Sequence, residues 1–130
     1  MYILDPSVAL KWFAPDGDVQ DGVAERILRE VVDHPARFAV PELFFHEMLA
    51  VLCRRMAQAS NASRAMDRLA RLGLRRIRLD DRLGRTAVRL AFRHRLSGYD
   101  ACYAALALEL DAAWLTFDQA AHDRIASAGI

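Results

Sequence analysis

The sequence predicts an α/β protein: a three-layer α/β/α sandwich around a central parallel sheet of about four to five strands. Three observations predict it. Short apolar runs alternate with segments of helical period along the whole chain, the pattern of a parallel sheet covered by helices. At 130 residues the chain has the length of one domain, and it can bury enough surface to hold itself together without disulfides or a structural metal. No repeat, linker or low-complexity stretch interrupts the alternation, so residues 1–130 form one unit.

Tyr2 to Leu4 is a short apolar run ending at Asp5, a buried strand, and Val8 to Phe13 reads as a short helix after it. Asp16-Gly17-Asp18 breaks the chain, and Val23, Ile27 and Val31 then mark a helix from Val19 to Val32 that stops at His34-Pro35. Phe38-Ala39-Val40 is the second strand, closed by Pro41. Glu42 to Ala59 reads as one long helix, apolar over an arc wide enough for packing on two sides. Asn61 to Leu72 follows as a helix with Gly73 as its C-cap. Leu74 to Leu79 alternates and reads as the third strand. Asp80 caps a helix running to about Arg95, and Ser97 opens another to about Leu110. Ala113 to Thr116 is the fourth strand, and Asp118 starts the last helix.

Composition bounds the function. The apolar fraction is 54% and the charged fraction 27%, ordinary for a globular protein, and the net charge of +1 gives no global pull toward nucleic acid. Of the 18 basic residues 17 are arginine, which matches either the base composition of the genome or a need for bidentate phosphate contacts; Lys11 is the single lysine. Cys53 and Cys102 form neither a disulfide framework nor a zinc motif and read as small buried residues in a reducing compartment. The N-terminus lacks the basic start and apolar core of a signal peptide, and no stretch is long and apolar enough to span a membrane. The expectation is a cytoplasmic protein without a membrane partner.

Four acids need explaining. Asp5 follows the first strand, Asp118 follows the fourth, and Asp100 starts the helix before the fourth. In open parallel sheets ligands bind outside the carboxyl ends of the strands. Glu47 lies in the first turns of the helix after strand two, among Leu43, Phe44, Met48 and Val51, where a carboxylate requires a partner. Each has an ordinary alternative. Asp5 and Asp118 suit helix caps, and Ser97-Gly98-Tyr99-Asp100 fits a capping box. Together they converge on one sheet edge, where two carboxylates 4 Å apart repel by about 4 kcal/mol at an effective dielectric of about 20. Such a cluster calls for protons or a hard divalent cation, Mg²⁺ or Mn²⁺, which can activate water at a phosphodiester. Glu42 is the rival to Glu47 but reads as a first-turn helix acid after Pro41. Asp80-Asp81 reads as a cap, Asp16, Asp18 and Asp21 as a polar turn. His34, His46, His94 and His122 show no ligand spacing.

These residues resemble a known family. Leu4-Asp5-Pro6-Ser7-Val8-Ala9-Leu10-Lys11-Trp12-Phe13 is similar to the opening of PIN domains of the VapC type, where a strand ends in an aspartate with a small hydroxyl residue two positions on. Pro41 to Leu49 resembles the second motif, with Glu47 at the acid; Leu96 to Ala107 resembles the third, with Asp100; Leu115-Thr116-Phe117-Asp118 resembles the fourth. The resemblance covers nearly the entire chain, in order and spacing. It departs at Pro6, where a small non-proline residue is usual, and at Ala50, where many relatives carry asparagine. It implies an Mg²⁺- or Mn²⁺-dependent endoribonuclease toxin in which Asp5, Glu47, Asp100 and Asp118 hold one or two metals and cut RNA. Ser7 and Thr116 would orient them. It further implies a homodimer and a cognate antitoxin that places a basic side chain in the acidic pocket.

Rivals are separable. A phosphatase using the first-strand aspartate as nucleophile wants a second aspartate where Ser7 stands, and a late lysine; after Lys11 there is none. A phospho-accepting receiver domain fails the same lysine test. A non-catalytic protein-interaction module, or a PIN domain without activity, remains as the alternative, and metal binding separates it. Arg54, Arg55, Arg75, Arg76 and Arg78 could track an RNA backbone or simply face solvent, and Tyr99 and Tyr103 could line the pocket mouth or pack.

Overall fold

Four short strands, all parallel, make the sheet in a computed structural model that describes residues 1–130. They are β1 (Tyr2–Leu4), β2 (Phe38–Pro41), β3 (Arg75–Ile77) and β4 (Ala113–Leu115), in the order β3-β2-β1-β4. Ile3 pairs with Ala39 on one side and Trp114 on the other. Ile3 and Leu4 of β1 and all of β2 are buried, as strands covered on both faces must be. The edge strand β3 carries exposed Arg75 and Arg76, charges that discourage pairing with another sheet.

Seven α-helices flank this sheet: α1 (Pro6–Ala9), α2 (Val19–Asp33), α3 (Leu43–Arg55), α4 (Ala59–Arg71), α5 (Asp81–His94), α6 (Gly98–Glu109) and α7 (Gln119–Ile125). The predicted α/β/α layers and strand number are therefore present. α6 is buried on almost every side, and it touches β1, β2 and β4. Its run Ala104-Ala105-Leu106-Ala107 is buried and lets the backbone of the helix bearing Asp100 lie close to the sheet.

Several boundaries differ from expectation, each for a local reason. The first helix starts at Pro6, not Val8, because proline suits the first helical position, where no N–H is needed. The long helix expected from Glu42 to Ala59 ends at Arg55, since Met56 and Gln58 are extended and turn the chain back to pack α4 on α3. α3 rests on β2 and on α4, yet Leu49 on its outer side remains exposed. Only Arg75–Ile77 of the third run pairs as strand. Gly73 does end α4, at φ +80°, and a Cβ there would stand 3.3 Å from that of Pro35. The expectation for the cysteines is corrected: Cys53 is exposed on α3 and Cys102 is half-buried; both are free thiols.

The turn before α2 is tied by the single lysine. Lys11 Nζ lies 3.1 Å from Asp16, 3.0 Å from Asp18 and 3.1 Å from Asp21, with only 7% of its side chain exposed. Burial alone would lower its pKa, but the three carboxylates outweigh that and hold the amine well above its ordinary value. Asp18 also caps α2 by accepting from the Asp21 N–H. Trp12 Nε1 donates to the Ala24 carbonyl at 2.7 Å, fastening the same turn to α2.

Candidate active site at the carboxyl end of the sheet

β1 has β2 on one side and β4 on the other, so the chain reverses its winding direction between β1 and β4. Such a switch point opens a crevice beyond the strand ends. Asp5 leaves β1 there, with its N–H still bonded to the Leu115 carbonyl at 3.0 Å. Pro6 behind it favours extended backbone, and Asp5 adopts φ −91°, ψ 148°. Asp118 follows β4, Asp100 lies in the first turn of α6, and Glu47 enters from the early part of α3.

The capping roles are real. Asp5 Oδ2 accepts from the Ser7 N–H at 2.9 Å, Asp118 Oδ1 from the Ala121 N–H at 3.1 Å, and Ser97 Oγ from the Asp100 N–H at 3.0 Å. Ser7 and Thr116 stitch the two strand ends together. The Phe117 N–H donates to Ser7 Oγ at 2.9 Å, the Asp118 N–H donates to Thr116 Oγ1 at 3.0 Å, and the two hydroxyls are 3.4 Å apart. Glu47 has the partner its surroundings demand: the Tyr103 hydroxyl donates to Glu47 Oε1 at 2.8 Å.

Capping does not exhaust these acids, because they share one electrostatic field. Burial pushes the pKa of Asp5 up, with Ser7, the Trp114 indole and Thr116 offsetting part of the rise. Burial likewise raises Glu47; Tyr103 pulls it back, and the charges of Asp5 and Asp100 raise it further. Asp100 is raised by burial, then by Asp5 and by Asp118, with Ser97 and Arg124 opposing. Three acids that each resist ionisation, partly through one another, form a crevice that favours protons or a cation. Their side chains are not drawn into a closed shell, for no three His, Cys, Asp or Glu stand at ligating geometry.

The rival acids are accounted for elsewhere. Glu42 is ion-paired with Arg76, whose Nε lies 2.8 Å from its Oε2 and whose guanidinium covers the Phe45 ring at 3.7 Å. Asp80 caps α5 through the Leu83 N–H. His46 Nδ1 lies 3.2 Å from the Glu42 carbonyl oxygen, on the surface. Three residues near the acids escaped the sequence reading: Tyr103 as partner of Glu47, Trp114 beside Asp5, and Arg124 beside Asp100. The first had a signal, since Tyr103 lies three residues after Asp100 and shares its helix face.

Fold and site together define an α/β/α protein with an acidic crevice at the switch point of a four-stranded parallel sheet. The chain belongs to the PIN-domain family, whose model matches residues 2–127. Its fold is shared by VapC20 of Mycobacterium tuberculosis, a toxin that cleaves the sarcin–ricin loop. That structure superposes with a TM-score of 0.72 at 22% identity, over 98% of this chain and 95% of that one. PAE2754 from Pyrobaculum aerophilum gives a TM-score of 0.72 at 19% identity, over 95% and 78% of the two chains. A toxin–antitoxin complex from Klebsiella pneumoniae gives 0.71 at 17% identity, over 97% and 91%. No curated protein matches the sequence.

Proposed function

We propose that the chain is a metal-dependent endoribonuclease toxin of the VapC type, hydrolysing RNA phosphodiester bonds in the cytoplasm and neutralised by a cognate antitoxin. The observation that carries this is the shared field of Asp5, Glu47, Asp100 and Asp118, in which Asp5 and Asp118 both raise the pKa of Asp100. Helix caps alone would have no reason to meet. An all-carboxylate donor set fits hard cations such as Mg²⁺ or Mn²⁺ and suits neither zinc nor copper. When bound, such an ion supplies an activated water and neutralises charge building on the phosphate. The chain's own part is to hold the acids. Ser7 and Thr116 fix the strand ends that present Asp5 and Asp118, and the buried α6 fixes Asp100. The likeness to VapC20 and to the Klebsiella complex supports the toxin reading and an antitoxin partner, whose basic side chain would enter the acidic crevice.

The test is cleavage of a labelled single-stranded RNA by purified protein with Mn²⁺, with Mg²⁺ and with EDTA. Cutting that requires metal supports the nuclease. No cutting together with no Mn²⁺ binding by calorimetry would leave a protein-interaction module.

The reading includes a homodimer. A groove of about 1370 Å³ lies between α5 and α6, beside rather than over the acids, and Val88 and Phe92 line it. Phe92 is 86% exposed, an unusual position for so large an apolar ring. Burying it against a second copy is expected to make Phe92→Ser shift the protein from dimer to monomer in sedimentation velocity, with the melting temperature of the fold little changed. Unaltered sedimentation would remove this face from the dimer contact.

A further inference from the structure

We propose that Tyr103 and Trp114 are positioning residues for the acidic site, a buried stacked pair in which the Tyr103 hydroxyl donates to Glu47 and the unpartnered Trp114 indole N–H lies on the sheet face of Asp5, so that both carboxylates are set for a divalent cation. The inference rests on the metal-dependent reading above.

The rings lie 5.9 Å apart and 12° from parallel, Tyr103 on α6 and Trp114 on β4. Tyr103 is 1% exposed and Trp114 7%. An apolar stack here needs no hydroxyl, yet Tyr103 places one 2.8 Å from Glu47 Oε1. In this pair the hydroxyl is the donor, since a carboxylate oxygen only accepts. Glu47 Oε1 is thereby committed, and Oε2 is left to another partner.

Trp114 supplies the second observation. Its Nε1 is fully buried and is the one buried side-chain polar atom without a hydrogen-bond partner. Buried indole N–H groups nearly always have an acceptor. Register says which acceptor is at hand. Ile3 is paired with Trp114, so the two side chains leave the sheet on the same face; Asp5, two residues beyond Ile3, returns to that face. Asp5 is thus the carboxylate to which Trp114 Nε1 would donate were a cation held there. Outer partners of this kind orient ligands that would otherwise rotate freely.

The test uses the full chain and does not depend on RNA. The protein has two tryptophans, and Trp12 Nε1 is already bonded to the Ala24 carbonyl at 2.7 Å, which makes it an internal control. On titration with Mg²⁺, the Trp114 indole N–H resonance is expected to move downfield while that of Trp12 stays. In calorimetry, Tyr103→Phe and Trp114→Phe are each expected to weaken Mn²⁺ binding by about 10–100-fold. Tyr103→Phe keeps the ring and the stack, so the metal-free protein should melt within a few degrees of wild type, which a purely structural role would not combine with lost affinity. A static Trp114 resonance together with wild-type Mn²⁺ affinity in Tyr103→Phe overturns the inference while leaving the nuclease reading standing. No Mn²⁺ binding by the wild-type protein overturns both.

Discussion

Asp5→Asn is expected to abolish metal-dependent RNA cleavage, by at least about a hundredfold, the upper range for loss of an outer-shell group alone. Asp5 is the most buried of the four acids and is sensed by both Glu47 and Asp100. Asparagine keeps the side-chain oxygen that accepts from Ser7, so the turn into α1 survives and only the charge is lost. Stability should move the other way. Burial holds the folded pKa of Asp5 above the ordinary value of 3.8, so the folded state binds more protons than the unfolded state as pH rises through that interval. Stability present below the unfolded value is therefore lost on going up through the folded one. The metal-free variant should consequently melt higher than wild type at pH 7, and the difference should vanish below about pH 3.8. Calorimetric scans at pH 3.5 and 7 without metal check this. Adding Mn²⁺ should raise the melting temperature of the wild type and not of the variant. A variant that cuts normally would remove Asp5 from the site.

Phe44→Ala is expected to cost about 3–5 kcal/mol of folding stability, out of a total of about 5–15 for a domain of this kind. The ring is fully buried at the start of α3 and meets Phe45 edge-on at 5.3 Å and 83°. Removing it leaves a cavity under the turn that carries Glu47, between a sheet and a helix that are both fixed from other sides. Urea denaturation should show a lower midpoint with an unchanged slope, and RNA cleavage should persist at low temperature where the chain is still folded. A loss below about 1 kcal/mol would mean that α3 can close over the gap. Asp5 and Phe44 thus separate function from fold: one variant is more stable and inactive, the other active and fragile.

Legibility in the sequence followed from how local each signal was. The strand-ending aspartates, the caps at Asp80 and Asp118 and the stop at Gly73 depend on a few neighbouring residues and were readable, whereas Asp18, which caps α2, read only as part of a polar turn. The break between α3 and α4 was not, because no glycine or proline marks Met56 to Gln58; only packing of α4 back on α3 makes the bend favourable. Cys53 misled for a similar reason, since a helix apolar over a wide arc does not reveal which edge of that arc faces water. At the candidate site, Asp5, Glu47, Asp100 and Asp118 could be selected from strand and helix ends. The contacts of Tyr103 and Trp114 could not, for they depend on strand register and on how α6 sits over β4. The preference for Glu47 over Glu42 rested on Glu42 following Pro41 directly, and the pairing of Glu42 with Arg76 was not visible in the sequence.

The clamped turn before α2 has a practical corollary. Lys11 is the sole side-chain amine, and three carboxylates keep it protonated and screened. A protonated, shielded amine is a poor nucleophile. Acylating reagents at neutral pH should therefore leave Lys11 unmarked in the native chain and mark it when the turn opens. The stoichiometry of labelling, read by intact-mass spectrometry, becomes a direct count of how often that turn comes apart.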